Sequence, residues 1–184
     1  MTLSLRKPAS VDVALRDLHV GSPGISPVWG AAIAEAASVC FDERGHSDPA
    51  AMQLDGALSA PASVHWQKPN DQALRCWNDD EVATEHGAYA IAALLVPVLC
   101  GLHIILRARK GKGFDFWLGS TEDPGPLFQD KARLEVSGIR EGSDSDVAAR
   151  VKAKKTQIDR SKGLLPGIIV VVEFTAPRSR IVLR

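Results

Sequence analysis

The sequence predicts an α/β protein with a central mixed β-sheet flanked by helices. Two long apolar segments carry helix start signals, and shorter β-branched segments lie between them. The run LLPGIIVVVEF near the end of the chain is typical of a strand buried on both faces. The 184 residues, 45% of them hydrophobic, suffice for one well-buried core. We expect a core domain at residues 69–184 and an N-terminal α/β extension at residues 1–68 that packs on it and is not independent.

The N-terminal part contains one clear helix and a pair of short strands. Ser26 is placed to cap a helix with Pro27 at its first position, followed by VWGAAIAEAASVCF. The segments AMQLD and ASVHW indicate a hairpin or two edge strands. His19, His46 and His65 stand apart in the sequence and are expected to be surface or packed residues, so we predict no chemistry in this part.

A helix begins near Asn70, and a second start signal follows, in which Asn78 caps and Glu81 closes a capping box. The segment after it, VATEHGAYAIAALLV, is apolar around most of its circumference, which predicts a helix buried on several sides. GLHIILRAR, GFDFWLG and KARLEVSGI then predict three strands, joined by the turn KGKG and a loop that contains Pro124 and Pro126. A helix capped by Ser143 or Asp144 precedes the final strand.

Charge and cysteine content restrict the function classes. The chain has 22 basic and 22 acidic residues, so no global attraction to nucleic acid or to an anionic membrane is expected. The three cysteines have no metal-ligand spacing and suit a reducing cytoplasm. We find no segment typical of a signal peptide or a membrane span and expect a soluble cytoplasmic protein.

Two carboxylates, Asp115 and Glu135, lie in the second and third of the predicted strands. Alternation places Phe114 and Phe116 on one face of their strand and leaves Asp115 on the other; Glu135 is likewise opposite its apolar neighbours. If these strands pair, the two acids converge, and they repel unless a proton or a cation lies between them. A hard divalent ion, Mg²⁺ or Mn²⁺, is therefore expected. The alternative is a solvated face on which Glu135 pairs with Arg133 or Lys131.

The order of helix, three strands, helix and strand, with Glu85 on the first helix, Asp115 on the second strand and Glu135 near the end of the third, resembles the PD-(D/E)XK nuclease superfamily. The resemblance covers roughly residues 78–174 and implies a restriction-endonuclease-like αβββαβ core. It also implies that Asp115 and Glu135 bind the metal, that the carbonyl of Val136 completes the ligand set, and that Glu85 assists. Without the resemblance, Glu85 has open alternatives: a cap, a partner for an arginine, or contact with water.

The chain departs from the family at Ser137, where the family usually has a lysine. A serine hydroxyl carries no positive charge and cannot supply the same electrostatic stabilisation. Lys154 and Lys155 flank the apolar stripe of the last helix, and either could reach the acids; Lys112 is another substitute. These lysines could equally belong to a solvated helix face. The departure leaves two functions open: a metal-dependent nuclease, or an inactive nuclease-fold module that binds nucleic acid or a protein.

Local basic groups favour a polyanionic substrate. One group surrounds the predicted turn and the other lies on the last helix, and the residues expected to contact nucleic acid are Arg107, Arg109, Lys110, Lys112 and Lys152. We expect nucleic acid, DNA first, as the partner and no membrane; a homodimer or a protein partner stays open.

Overall fold

The computed structural model describes residues 3–121, 132–160 and 165–184. Its strands are β1 (Val11–Ala14), β2 (Ala50–Gly56), β3 (Ala60–His65), β4 (His103–Arg107), β5 (Phe116–Gly119), β6 (Ala132–Ile139), β7 (Gly167–Glu173) and β8 (Arg178–Leu183). Its helices are a 3₁₀ helix (Leu15–Val20), α1 (Pro27–Glu43), α2 (Asp71–Cys76), α3 (Asp80–Cys100) and α4 (Asp144–Arg160). The strands form one mixed sheet in the order β1-β3-β2-β8-β7-β6-β5-β4, so the predicted α/β class is confirmed.

The second half of the chain follows the predicted order α3, β4, β5, β6, α4, β7. β5 pairs antiparallel with both β4 and β6, whereas β6 pairs parallel with β7. Parallel neighbours need a crossover connection, and α4 provides it. The predicted loop with Pro124 and Pro126 lies outside the described residues.

β8, which the sequence analysis did not predict, joins the two parts of the sheet. It pairs antiparallel with β7 and parallel with β2, where Gln53 is opposite Arg178. The predicted N-terminal hairpin is confirmed, because β2 and β3 pair antiparallel. Residues 1–68 therefore supply three strands to the same sheet as the core.

Helices cover the two faces of the sheet. α1 and α3 pack on one face in the larger apolar cluster, and α4 covers the other with a smaller cluster. Phe116 belongs to the larger cluster and Phe114 to the smaller one, so the prediction that they share a face is wrong. β5 begins only at Phe116, and the strand alternation on which the prediction relied does not extend to Phe114.

Side-chain caps begin the helices, largely as predicted. The Ser26 hydroxyl accepts from the Trp29 amide at 3.2 Å, and the Asn70 side chain accepts from the Ala73 amide at 2.9 Å. The prediction that Asn78 caps α3 is wrong, because the helix begins one residue later and Asp79 accepts from the Val82 amide at 3.0 Å.

The start of α4 matches one of the two predicted caps. Ser143 accepts from the amide of Asp146 at 3.3 Å, and the Asp146 carboxylate accepts from the amide of Ser143 at 2.8 Å. This reciprocal capping box fixes where α4 leaves the end of β6.

Gly138 allows α3 to lie directly on β6. A Cβ atom at this position would lie 2.4 Å from the carbonyl oxygen of Thr84. Because glycine has no Cβ, the first turns of α3 can approach the strand backbone closely. This contact places the neighbouring Glu85 beside the end of β6.

α3 is long and apolar enough to cross a membrane by length and composition alone, but 67% of its apolar window is buried inside the protein. This burial is consistent with the core helix of a soluble protein.

Candidate functional site

Asp115 lies immediately before β5, and its backbone forms hydrogen bonds with a residue next to the end of β4 and a residue in β6. Its amide donates to the carbonyl of Leu134 at 2.9 Å, and its carbonyl accepts from the amide of Ala108 at 2.8 Å. The side-chain Oδ2 accepts from the amide of Val136 at 2.8 Å. Backbone on both sides therefore holds the carboxylate in one position.

Glu135, in the middle of β6, faces α4 and has no exposed side-chain surface. Its Oε1 accepts from the ammonium of Lys154 at 2.5 Å. Its Oε2 is buried and receives no hydrogen bond from the described residues while both acids are ionised, and a hydrogen bond shared with the protonated Asp115 side chain is one of the causes that raise the pKa of Glu135. Burying a carboxylate oxygen without a partner is costly, so this atom marks a place where a further ligand would be stabilised.

The alternative of a solvated face for Glu135 is wrong. The residue is buried, and the guanidinium of Arg133 donates to the backbone carbonyls of Ile158 and Leu165. The other partner considered, Lys131, lies outside the described residues.

The two carboxylates perturb one another. Burial and, after it, the charge of the neighbouring Asp115 raise the pKa of Glu135 to about 7, although the hydrogen bond and charge of Lys154 act in the opposite direction. Burial also raises the pKa of Asp115, whereas the hydrogen bond from Val136 and the charge of Lys154 lower it. The pair therefore resists carrying two negative charges near neutral pH unless a cation compensates them.

Glu85 reaches the same place from α3. It is exposed, and its Oε1 accepts from the hydroxyl of Tyr89 at 2.6 Å. The Tyr89 hydroxyl also lies 3.5 Å from Oδ1 of Asp115. Burial, followed by the charge of Asp115, raises the pKa of Tyr89, so the phenol stays protonated and can donate. The structure thus brings together Glu85, Asp115 and Glu135, the three predicted acids.

Arg107 is the predicted basic residue that reaches this cluster. Its guanidinium carbon lies 5.5 Å from the ring centroid of Trp29, 5.3 Å from that of Tyr89 and 5.5 Å from that of Phe116. The side chain is exposed, and its charge lowers the pKa of Asp115. Three rings therefore hold an exposed cation beside the acids.

The other predicted basic residues lie farther out. Arg109, Lys110 and Lys112 are exposed on the connection between β4 and β5, and Lys152 is exposed on α4. Their side chains make no hydrogen bond or ion pair among the described residues, and no contact joins them to the acids.

Ser137 and the two lysines of α4 that were considered in its place differ in their contacts. Ser137 accepts from the guanidinium of Arg150 at 2.9 Å and carries no charge. Of the two candidates on α4, Lys154 contacts Glu135, whereas Lys155 makes no hydrogen bond or ion pair within the described part of the chain. The position of Lys154 is further fixed by Gln157, whose Oε1 lies 3.3 Å from the ammonium.

Tyr89, Gln157 and Arg150 contact the site but were not among the predicted site residues. Tyr89 is the single tyrosine and follows Glu85 by four residues, and Gln157 follows Lys154 by three. Both spacings put side chains next to one another on a helix, so helical neighbours were the available signal. Arg150 and Ser137 lie in different elements, and no local pattern joins them.

Among the described residues, no group of three or more histidine, cysteine, aspartate or glutamate side chains is arranged so that it could hold a metal ion. A cation would have Asp115 and Glu135 as its side-chain ligands. No protein-family model, curated protein or solved structure matches this chain.

Proposed function

We propose that this protein is a metal-dependent nuclease with a restriction-endonuclease-like core, which hydrolyses phosphodiester bonds in nucleic acid. One observation carries the proposal: the fully buried carboxylate of Glu135 has one oxygen that no donor among the described residues pairs with when both acids are ionised, and it lies beside Asp115, which raises its pKa. A divalent cation between the two carboxylates would remove both the repulsion and the unpaired oxygen.

The residues present fit Mg²⁺ or Mn²⁺. Mg²⁺ is commonly bound by one or two carboxylates, with water and substrate phosphate completing its octahedron, so a third acidic side chain is not required. Asp115 and Glu135 would bind the ion, and the carbonyl of Val136 is the proposed third ligand. The bound ion would polarise the scissile phosphate and lower the pKa of a water molecule.

The residues of the chain then have separate roles. Lys154 takes the place of the strand lysine and stabilises negative charge next to Glu135. Tyr89 links Glu85 to Asp115 and keeps the aspartate oriented. The guanidinium of Arg107 packs against aromatic rings, and its N–H groups pair with no carboxylate among the described residues. They are therefore available to donate to a phosphate oxygen. Arg109, Lys110, Lys112 and Lys152 bind neighbouring phosphates.

The test is incubation of the purified protein with single-stranded and double-stranded DNA and RNA in Mg²⁺, Mn²⁺ or chelator. Cleavage should require the metal and should fall at least about a hundredfold in Asp115→Asn and Glu135→Gln, since each change removes an ionic metal ligand. Glu141→Gln, a change at an exposed glutamate that pairs with Arg44, is the matched control and should keep full activity. Cleavage that survives in chelator, or in both site variants, would contradict the proposal.

A second candidate function is an inactive module that binds nucleic acid or a protein. The observation that favours it is the 2.5 Å contact between Lys154 and Glu135, because the ammonium already neutralises one of the proposed ligands. In that case DNA would bind without being cut under any metal condition. We also retain the expectation of a cytoplasmic location, which the three free cysteines suit.

A further inference from the structure

A row of aromatic side chains from α1, α3 and the end of α2 leads away from the acidic site. The ring centroids of Trp29 and Tyr89 are 6.2 Å apart, those of Tyr89 and His86 are 5.9 Å apart, and those of His86 and Trp77 are 5.4 Å apart. Trp29, Tyr89, His86 and Trp77 are called the aromatic row below. Tyr89 donates to Glu85 and is the point where the row meets the site.

Hydrogen bonds and a cation hold the row in place. The indole N–H of Trp77 donates to Glu35 at 2.9 Å, and Nδ1 of His86 lies 2.8 Å from the carbonyl of Val82. At the other end, Arg107 lies against Trp29. A ligand that stacks on rings already fixed in position loses little conformational entropy.

The row also presents apolar surface to solvent. Trp29, His86 and Trp77 are half-buried, and Val82, one helical turn before His86, is 44% exposed, whereas Tyr89 is buried between Trp29 and His86 and offers no open ring face. Because aromatic groups at a surface are enriched in binding sites, this surface is suited to a flat apolar partner.

We infer that the aromatic row is a stacking platform for unpaired bases, so that the substrate of the proposed nuclease is single-stranded nucleic acid or a frayed end. The inference rests on the proposed function, because it takes the acidic site as the place of the scissile phosphate. Arg107 contacts Trp29 and Tyr89, and the Tyr89 hydroxyl lies 3.5 Å from Asp115, so the row, a phosphate-binding cation and the acids are contiguous. Bases within a duplex have no free ring face, whereas each unpaired base can stack on an aromatic side chain.

The test measures binding apart from cleavage. We titrate protein into three labelled ligands in the presence of chelator: a 12-nucleotide oligo(dT), an abasic strand of the same length and a 12-base-pair duplex. The variants Trp77→Leu and Trp77→Phe are compared with the unaltered protein. Trp77→Leu should weaken oligo(dT) binding about tenfold, since stacking on one ring contributes on this scale, and should leave the abasic strand and the duplex unchanged. Trp77→Phe should recover part of the affinity. Trp117→Leu is the control, because Trp117 is half-buried but packs against Phe114.

Several outcomes would overturn the inference. Equal loss for oligo(dT) and the abasic strand would mean that Trp77 acts only through the protein structure, and no loss at all would remove stacking. Self-association of the protein that disappears in Trp77→Leu would mean that a second copy covers the row. If Trp77→Leu does not fold, His86→Ala and Trp77→Phe give the same comparison. If oligo(dT) binding depends on Trp77 but no metal supports cleavage, the nuclease proposal is rejected and the stacking platform stands. If cleavage requires the metal but does not depend on Trp77, the nuclease proposal stands and the stacking platform is rejected.

Discussion

Replacing Glu135 by glutamine should change how stability depends on pH. The folded protein holds the proton of Glu135 with a pKa of about 7, against an ordinary value of 4.5 that applies to the unfolded chain. Between these values the unfolded chain has released the proton while the folded chain keeps it, so raising the pH favours unfolding. The stabilisation that the protonated Glu135 contributes is fully present below pH 4.5 and is lost as the pH rises through 7.

The size of the effect follows from the two pKa values. Since the side chain is fully buried, the free energy of unfolding should fall by about 3 kcal/mol between pH 4.5 and pH 8. Glu135→Gln has the same shape, can still accept from Lys154 and has no proton to lose, so most of this fall should disappear. A smaller slope should remain, because the pKa of Asp115 is also raised.

Urea denaturation at several pH values between 4.5 and 8, followed by circular dichroism, measures this difference. Glu141→Gln, at an exposed position, should keep the slope of the unaltered protein. Added Mg²⁺ should stabilise the unaltered protein more at pH 8 than at pH 5, because the ion binds the ionised carboxylates. Identical slopes for the unaltered protein and Glu135→Gln would refute the assignment of a raised pKa to this residue.

Three further changes test individual contacts. Lys154→Met removes a charge that lowers the pKa of Glu135, so this pKa should rise further and the protein should be less stable at neutral pH. Metal-dependent cleavage should also fall. An unchanged urea midpoint at pH 8 would contradict the ion pair between Lys154 and Glu135. Tyr89→Phe removes the hydrogen bond to Glu85 and should cost about 1 kcal/mol in urea denaturation, with no loss expected if the hydroxyl were solvated. Gly138→Ala should lower the thermal midpoint through a destabilisation of about 1–3 kcal/mol, because its Cβ would meet the carbonyl of Thr84; an unaltered midpoint would mean that α3 does not lie on β6.

Much of the fold was predictable because its signals are local. The cap at Ser26, the hairpin of β2 and β3, and the apolar length of α3 all follow from residues within a few positions of one another. The error at Asn78 was small for the same reason: Asn78 and Asp79 are both good caps, and only the packing of α3 selects between them. β8 was missed because its segment is short and strongly charged, and its pairing partners are distant in sequence.

The candidate site was predictable only in part. Alternation singled out Asp115 and Glu135, yet the aspartate reaches β6 from a position just before β5, through the Val136 amide, and not from a strand face. A helical wheel left Lys154 and Lys155 equivalent, and the crossover of α4 decides which of them meets Glu135. The rings around Arg107 come from α1, α3 and β5, so no segment of the sequence contains their arrangement.

The amino-acid sequence by itself determined the α/β class, most of the element order and the presence of two acids among apolar residues in or next to strands, since these depend on near neighbours and on the period of a helix or strand. The tertiary structure decided that Glu85, Asp115, Glu135, Lys154 and Arg107 meet at one place and that Glu135 is buried there. The physical reason is that burial and charge compensation arise between elements far apart in the chain, and their energies exist only after the sheet and its covering helices have packed.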